Sequence, residues 1–156
     1  HPGPIRVDAD EVTYPAHILL RYEIERPLVE GEIEPEDVPS LWDAKMAELL
    51  DVDTRGNFKD GPMQDVHWPE ALFGYFPCYS LGAMYAAQWF AAIRRAHPGV
   101  DDDISRGHLA PVFDWLREKV WLQASLLETD ELARQASGEP LNPAFLEAHL
   151  RRRYLA

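Results

Sequence analysis

The chain has 156 residues, 46% of them apolar and 27% charged, which is enough for one domain with a sizeable core. Its formal charge of −12 repels phosphate polyanions and anionic lipid, so neither nucleic acid nor a membrane is expected as a partner. Cys78 is the single cysteine, which excludes an internal disulfide and a thiolate-rich metal site and suits the reducing cytoplasm.

His1-Pro2-Gly3-Pro4 has neither the charge nor the apolar core of a signal peptide, and no apolar run approaches the roughly 20 residues of a membrane span. Asp8 to Glu30 reads as one helix, or two joined at Pro15, with Val12, Ile18, Leu19, Tyr22, Leu28 and Val29 at helical spacing. Pro15 removes a backbone donor and is expected to kink it. Asp10 and Glu11 are expected as electrostatic caps of the first turn rather than catalytic carboxylates. Gly31 to Pro39 is an acidic, proline-punctuated connection. Ser40 to Leu50 is an amphipathic helix with Leu41, Trp42, Met46, Leu49 and Leu50 on its stripe. Asp51 to Asp60 is an exposed loop that lacks the Gly and closing Glu of a calcium loop.

Gly61 to Gly82, GPMQDVHWPEALFGYFPCYSLG, crowds Gln64, Asp65 and His67 among Trp68, Phe73, Tyr75, Phe76 and Tyr79. A pocket wall needs that mixture of apolar bulk and a few orienting polar groups. The alternative is a buried loop in which the polar side chains satisfy backbone groups. Tyr79 to Ala96 is apolar around most of its girth, so a buried helix is expected, stopped by Pro98-Gly99. Short helices follow over Asp101 to Arg106, from Pro111 through Trp115, Leu116 and Val120 toward Leu127, and from Thr129 to Gly138. Asn142-Pro143 opens the last helix, whose Arg151-Arg152-Arg153 complements the dipole at its C-terminus. No strand alternation occurs, so the fold class is all-α, an irregular multi-helix assembly in a single domain over residues 1–156.

Two stretches carry a family resemblance. Gly61-Pro62-Met63-Gln64-Asp65-Val66-His67-Trp68 and Phe73-Gly74-Tyr75-Phe76-Pro77-Cys78-Tyr79-Ser80-Leu81-Gly82 resemble GxxQDxHW and FGYFPTYxLG, and Ile5 to Ile18 resembles IRxxADExTYxxHI. These patterns belong to the carboxypeptidase Taq (M32) family of zinc metallocarboxypeptidases. The likeness continues through Leu41 to Met46, Trp115 to Lys119 and Ala136 to Leu141, so it covers essentially the whole chain. It matches the family's C-terminal third, and implies the C-terminal helical part of a zincin-like, neurolysin-like carboxypeptidase. The chain departs from the family at Pro69-Glu70-Ala71-Leu72, at Cys78 in place of Thr, and at Trp121-Leu122-Gln123-Ala124 in place of His-x-x-Gly.

The resemblance implies zinc in the full-length family enzyme, held by an HExxH helix that this sequence lacks, so no zinc is expected on this chain alone. It implies that Arg6 pairs with the C-terminal carboxylate of a peptide, that Gln64, Asp65 and Tyr79 line the substrate cleft with Asp65 orienting an imidazole, and that either His67 or Tyr75 donates to the oxyanion. Arg6 is then expected in one concavity with His67 and Tyr75, its guanidinium facing open space; the competing picture pairs it with Asp10. The implied function is the substrate-binding part of an enzyme that removes C-terminal residues, inactive by itself. The alternative is a non-catalytic helical binding or scaffold module. Expected partners are the peptide C-terminus and either the upstream catalytic part or a second copy, as in a homodimer, covering apolar helix faces.

Overall fold

The computed structural model describes residues 2–155. These form seven α-helices and no strand, as the all-α reading expects. They fall into two compact units, one ending at Leu81 and the other beginning at Gly82.

The first unit opens with a 3₁₀ turn at Arg6–Asp8, followed not by helix but by a turn in which Asp10 Oδ1 accepts from the amides of Val12 and Thr13, both at 2.9 Å. That side-chain bond competes with helical pairing, so α1 starts only at Tyr14 and runs Tyr14–Glu30. Pro15 falls in its first turn, where a missing donor costs nothing, and therefore begins the helix instead of kinking it. Gly31, with φ of 72°, ends it in the left-handed conformation that favours glycine.

The connection holds a 3₁₀ turn at Pro35–Asp37, where the Glu34 amide donates to Asp37 Oδ2 at 2.9 Å, and this lets α2 (Val38–Leu50) begin two residues before Ser40. The core between the two helices is Leu20 and Ile24 of α1 against Val38, Trp42, Met46 and Leu50 of α2, with Leu41 and Leu49 on its flank. The four α2 residues recur at every fourth position, one continuous helical face. Lys45 Nζ meets Glu23 at 2.6 Å across the same pair of helices.

The loop from Asp51 to Asp60 is mostly exposed, but Thr54 is buried and donates to Asp43 Oδ1 at 2.6 Å. At its end, a Cβ placed on Gly61 would lie 2.6 Å from the backbone oxygen of Asn57. Gly61→Ala is therefore expected to cost about 1–3 kcal/mol through forced backbone displacement, read as a lower urea midpoint. An unchanged midpoint would show that the Asn57 turn yields freely.

Helix α3 (Pro77–Ala96) gives its first turn to the first unit and the remainder to the second. Its expected burial needs correction: only Gln88, Ala92 and Ile93 are buried in it, and Leu81 is 41% exposed. An apolar girth is buried only where neighbours exist, and here they cover one side. The second unit continues with α4 (Val100–Ser105), α5 (Ala110–Lys119), α6 (Thr129–Ser137) and α7 (Ala144–Tyr154). Ala92, Ile93, Val100, Trp115 and Ala136 form its core. Helix α5 stops well short of Leu127, because Val120 leaves helical geometry with φ of −122° and the chain passes into a 3₁₀ turn at Trp121–Gln123. Buried Gln88 donates to Ser137 Oγ and the carbonyls of Glu139 and Pro140, and accepts from the Asn142 amide at 2.9 Å, tying the α6–α7 connection to α3. No helix among the described residues is long and apolar enough to cross a membrane.

Candidate functional site

The residues singled out in the sequence converge in the first unit around Asp65, whose two oxygens are divided between two arginines. Oδ1 accepts from Arg6 Nε at 2.9 Å and lies 2.8 Å from Arg6 Nη2. Oδ2 accepts from Arg21 Nε at 2.6 Å and lies 2.5 Å from Arg21 Nη2. Arg6 also donates through Nη1 to the Tyr14 hydroxyl at 2.8 Å. Its guanidinium thus faces an internal carboxylate, and its side chain is only 9% exposed, which corrects the expectation of open space. The pairing with Asp10 fails too, since Asp10 holds the turn before α1. The reason is energetic: a guanidinium this covered requires a counter-charge, and Asp65 supplies it. Burial works against the Arg6 charge, but bonding and attraction to Asp65 outweigh it and hold the group above its ordinary pKa.

Sequence reasoning missed Arg21. It is fully buried on α1, donates through Nη1 to the His17 carbonyl at 2.8 Å, and lies 4.6 Å from the Trp42 ring and 5.6 Å from that of Phe76. Burial pulls its pKa down to about 10, with Asp65 opposing. One signal was present: His17, Arg21 and Glu25 are polar residues four apart, hence on one helical face, and all three are buried. Both ring nitrogens of His17 are buried without a hydrogen bond of good geometry, and burial together with Arg21 pushes its pKa down to about 4. His17 is therefore neutral near pH 7.

Gln64 spends both ends of its amide on backbone. Its oxygen accepts from the Arg6 amide at 2.8 Å, and its nitrogen donates to Pro4 O at 2.9 Å and Asp60 O at 2.6 Å, binding the segment before Arg6 to the central loop. His67 is buried, with Nε2 at 2.8 Å from the Tyr79 hydroxyl and its ring 4.3 Å from that of Phe76. Its Nδ1 lies 3.9 Å from Asp65 Oδ1, beyond hydrogen-bond reach, so Asp65 faces the arginines instead of gripping the imidazole. Burial lowers the His67 pKa, with Asp65 opposing and both arginines adding to the fall. A proton on Nδ1 faces the Asp65 charge, so electrostatics favours the tautomer in which Nε2 accepts from the Tyr79 O–H.

The aromatic rim completes the site. Tyr75 is 45% exposed, with its ring 5.6 Å from that of His67 and 5.4 Å from that of Tyr79. Arg6 Cζ lies 4.9 Å from the Tyr79 ring and 5.9 Å from that of Tyr14. A second missed residue, Glu25, holds the loop that separates His67 from Tyr75. Its Oε2 accepts from Trp68 Nε1 at 2.7 Å and its Oε1 from the Gly74 amide at 2.6 Å, while Gly74 itself has φ of 77°. Pro69 to Leu72, where a departure from the family pattern is expected, lie inside this loop, closed by the Leu72 amide donating to His67 O at 2.8 Å.

Among the described residues, no group of three or more His, Cys, Asp or Glu side chains could hold a metal ion. The acid nearest the imidazoles is already committed to two guanidinium groups, so the residues present do not fit a zinc centre.

Comparison with known proteins gives the family. The family model described as carboxypeptidase Taq (M32) metallopeptidase matches residues 1–154. Carboxypeptidase 1 of Bacillus subtilis is 42% identical over 98% of this chain and 30% of its own length. Thermostable carboxypeptidase 1 of Thermus thermophilus is 41% identical over 99% of this chain and 30% of its own. Among solved structures, metallocarboxypeptidase 1 of Trypanosoma cruzi superposes with a TM-score of 0.95 at 52% identity, over 100% of this chain and 33% of that one. The chain thus spans about a third of the length of the relatives it matches, and over that stretch it belongs to the carboxypeptidase Taq (M32) metallopeptidase family.

Proposed function

We propose that this chain is the substrate-gripping part of a metallocarboxypeptidase and that Arg6 holds the C-terminal carboxylate of the peptide. One observation carries the reading: two guanidinium groups share a single carboxylate, so Asp65 cannot close on Arg6 with both of its oxygens. Arg6 has five N–H bonds, of which Asp65 and Tyr14 engage three. The rest serve a planar carboxylate, a charge-assisted contact suited to the guanidinium fork.

Tyr75, the more exposed of the two candidate donors, takes the role of donating its O–H to the oxyanion formed when the scissile carbonyl is attacked. His67 instead orients Tyr79 from inside. Since no group of the described residues could hold a metal ion, the chain alone is expected to hydrolyse no peptide.

The test compares N-acetyl-L-phenylalanine with its amide in an NMR titration of the chain. The free acid is expected to bind and the amide not. Arg6→Lys is expected to weaken the acid about tenfold, since a point charge cannot reproduce the fork. Equal binding of acid and amide overturns the reading.

A further inference from the structure

An arginine and a carboxylate left to themselves pair fork to fork, two parallel N–H groups on two oxygens, and so neutralise one another. Arg6 and Asp65 do not. Arg6 Nε and Nη2 both converge on Oδ1, because Oδ2 is held by Arg21. Arg21 is fully buried, stacked on Trp42 and anchored to the His17 carbonyl, so it reaches no ligand and acts only through Asp65. A buried guanidinium is a costly way to fill a helix face if packing is all that is required.

We infer that Arg21 is a positioning residue for carboxylate recognition: by occupying Oδ2 of Asp65 it confines Arg6 to Oδ1 and leaves the Arg6 charge available to the substrate anion. The inference rests on the proposed role of Arg6. Asp65 answers two guanidinium groups, while the nearby buried Glu25 is engaged by Trp68 and Gly74 and stays the same in every variant below. Removing Arg21 leaves Asp65 with a single guanidinium and frees Arg6 to close on both oxygens. Removing Asp65 as well restores an Arg6 on which no carboxylate is closed.

The same titration of the 156-residue chain tests this, with folding of each variant followed by thermal melting. Arg21→Met is expected to weaken binding of N-acetyl-L-phenylalanine by about tenfold or more, and Arg21→Met/Asp65→Asn to return it to within about threefold of the unaltered chain. Arg21→Lys, which keeps the charge, is expected to stay within about threefold as well. A purely structural Arg21 gives the opposite order, with the double variant no better than the single one. If Arg21→Met does not fold, the inference stands or falls on the other two variants, both of which have to bind within about threefold of the unaltered chain. If the unaltered chain shows no preference for acid over amide, the role of Arg6 falls and takes the inference with it. If that preference holds but Arg21→Met binds equally well, or the folded double variant fails to recover, the inference alone falls.

Discussion

Asp65→Ala is expected to lower the unfolding free energy by about 3–5 kcal/mol, the cost of removing one partner from a buried ion pair. Asp65 is the counter-charge for two guanidinium groups at once, and one of them, on Arg21, is completely buried. Without the carboxylate, Arg21 retains only its bond to the His17 carbonyl and its aromatic neighbours, which cannot neutralise a full charge. Urea denaturation measures the loss. Arg21→Met/Asp65→Asn is expected to be milder than Asp65→Ala, because charge and counter-charge leave together. A loss below about 1 kcal/mol, the value of an exposed pair, would show that water reaches the cluster and screens it.

Glu25→Ala is expected to cost about 2–4 kcal/mol, since it strands two donors in a largely buried place. Trp68 Nε1 and the Gly74 amide both lose their acceptor, and with it the link between α1 and the two ends of the loop that separates His67 from Tyr75. The loss extends to the site, because those two rings, 5.6 Å apart, are the immediate neighbours of the anchored residues. Hydrogen exchange at the Gly74 amide reads this directly and is expected to accelerate well beyond the global loss of stability. Glu25→Gln keeps one oxygen but turns an NH2 toward the second donor, so it is expected to fall between the native chain and Glu25→Ala. Unchanged protection at Gly74 would mean that the loop is held by its own turn, through Leu72 and His67, and not by α1.

Helix positions were legible wherever local chemistry decides. The spacing of Trp42, Met46 and Leu50 placed α2, and the left-handed glycines at Gly31 and Gly138 ended α1 and α6. Legibility failed where a side chain competes with the backbone, as Asp10 does before α1, and where burial depends on neighbours the helix itself does not specify, as along α3. For the site, the motif residues Arg6, Gln64, Asp65, His67, Tyr75 and Tyr79 could be named from the sequence because they recur as a family pattern.

What the sequence by itself determined was the all-α class, the family and the motif residues of the cluster, all matters of residue type and spacing, while Arg21 and Glu25 came only with the fold. Only the tertiary structure decided who pairs with whom. Arg6 meets Asp65 across a separation of 59 residues and Arg21 meets it across 44, so no local rule could choose Asp65 over Asp10, four positions away. Burial made the choice: an exposed pair within one segment gains little from contact, whereas guanidinium groups withdrawn from water by Trp42, Phe76 and Tyr79 require a carboxylate that is withdrawn with them.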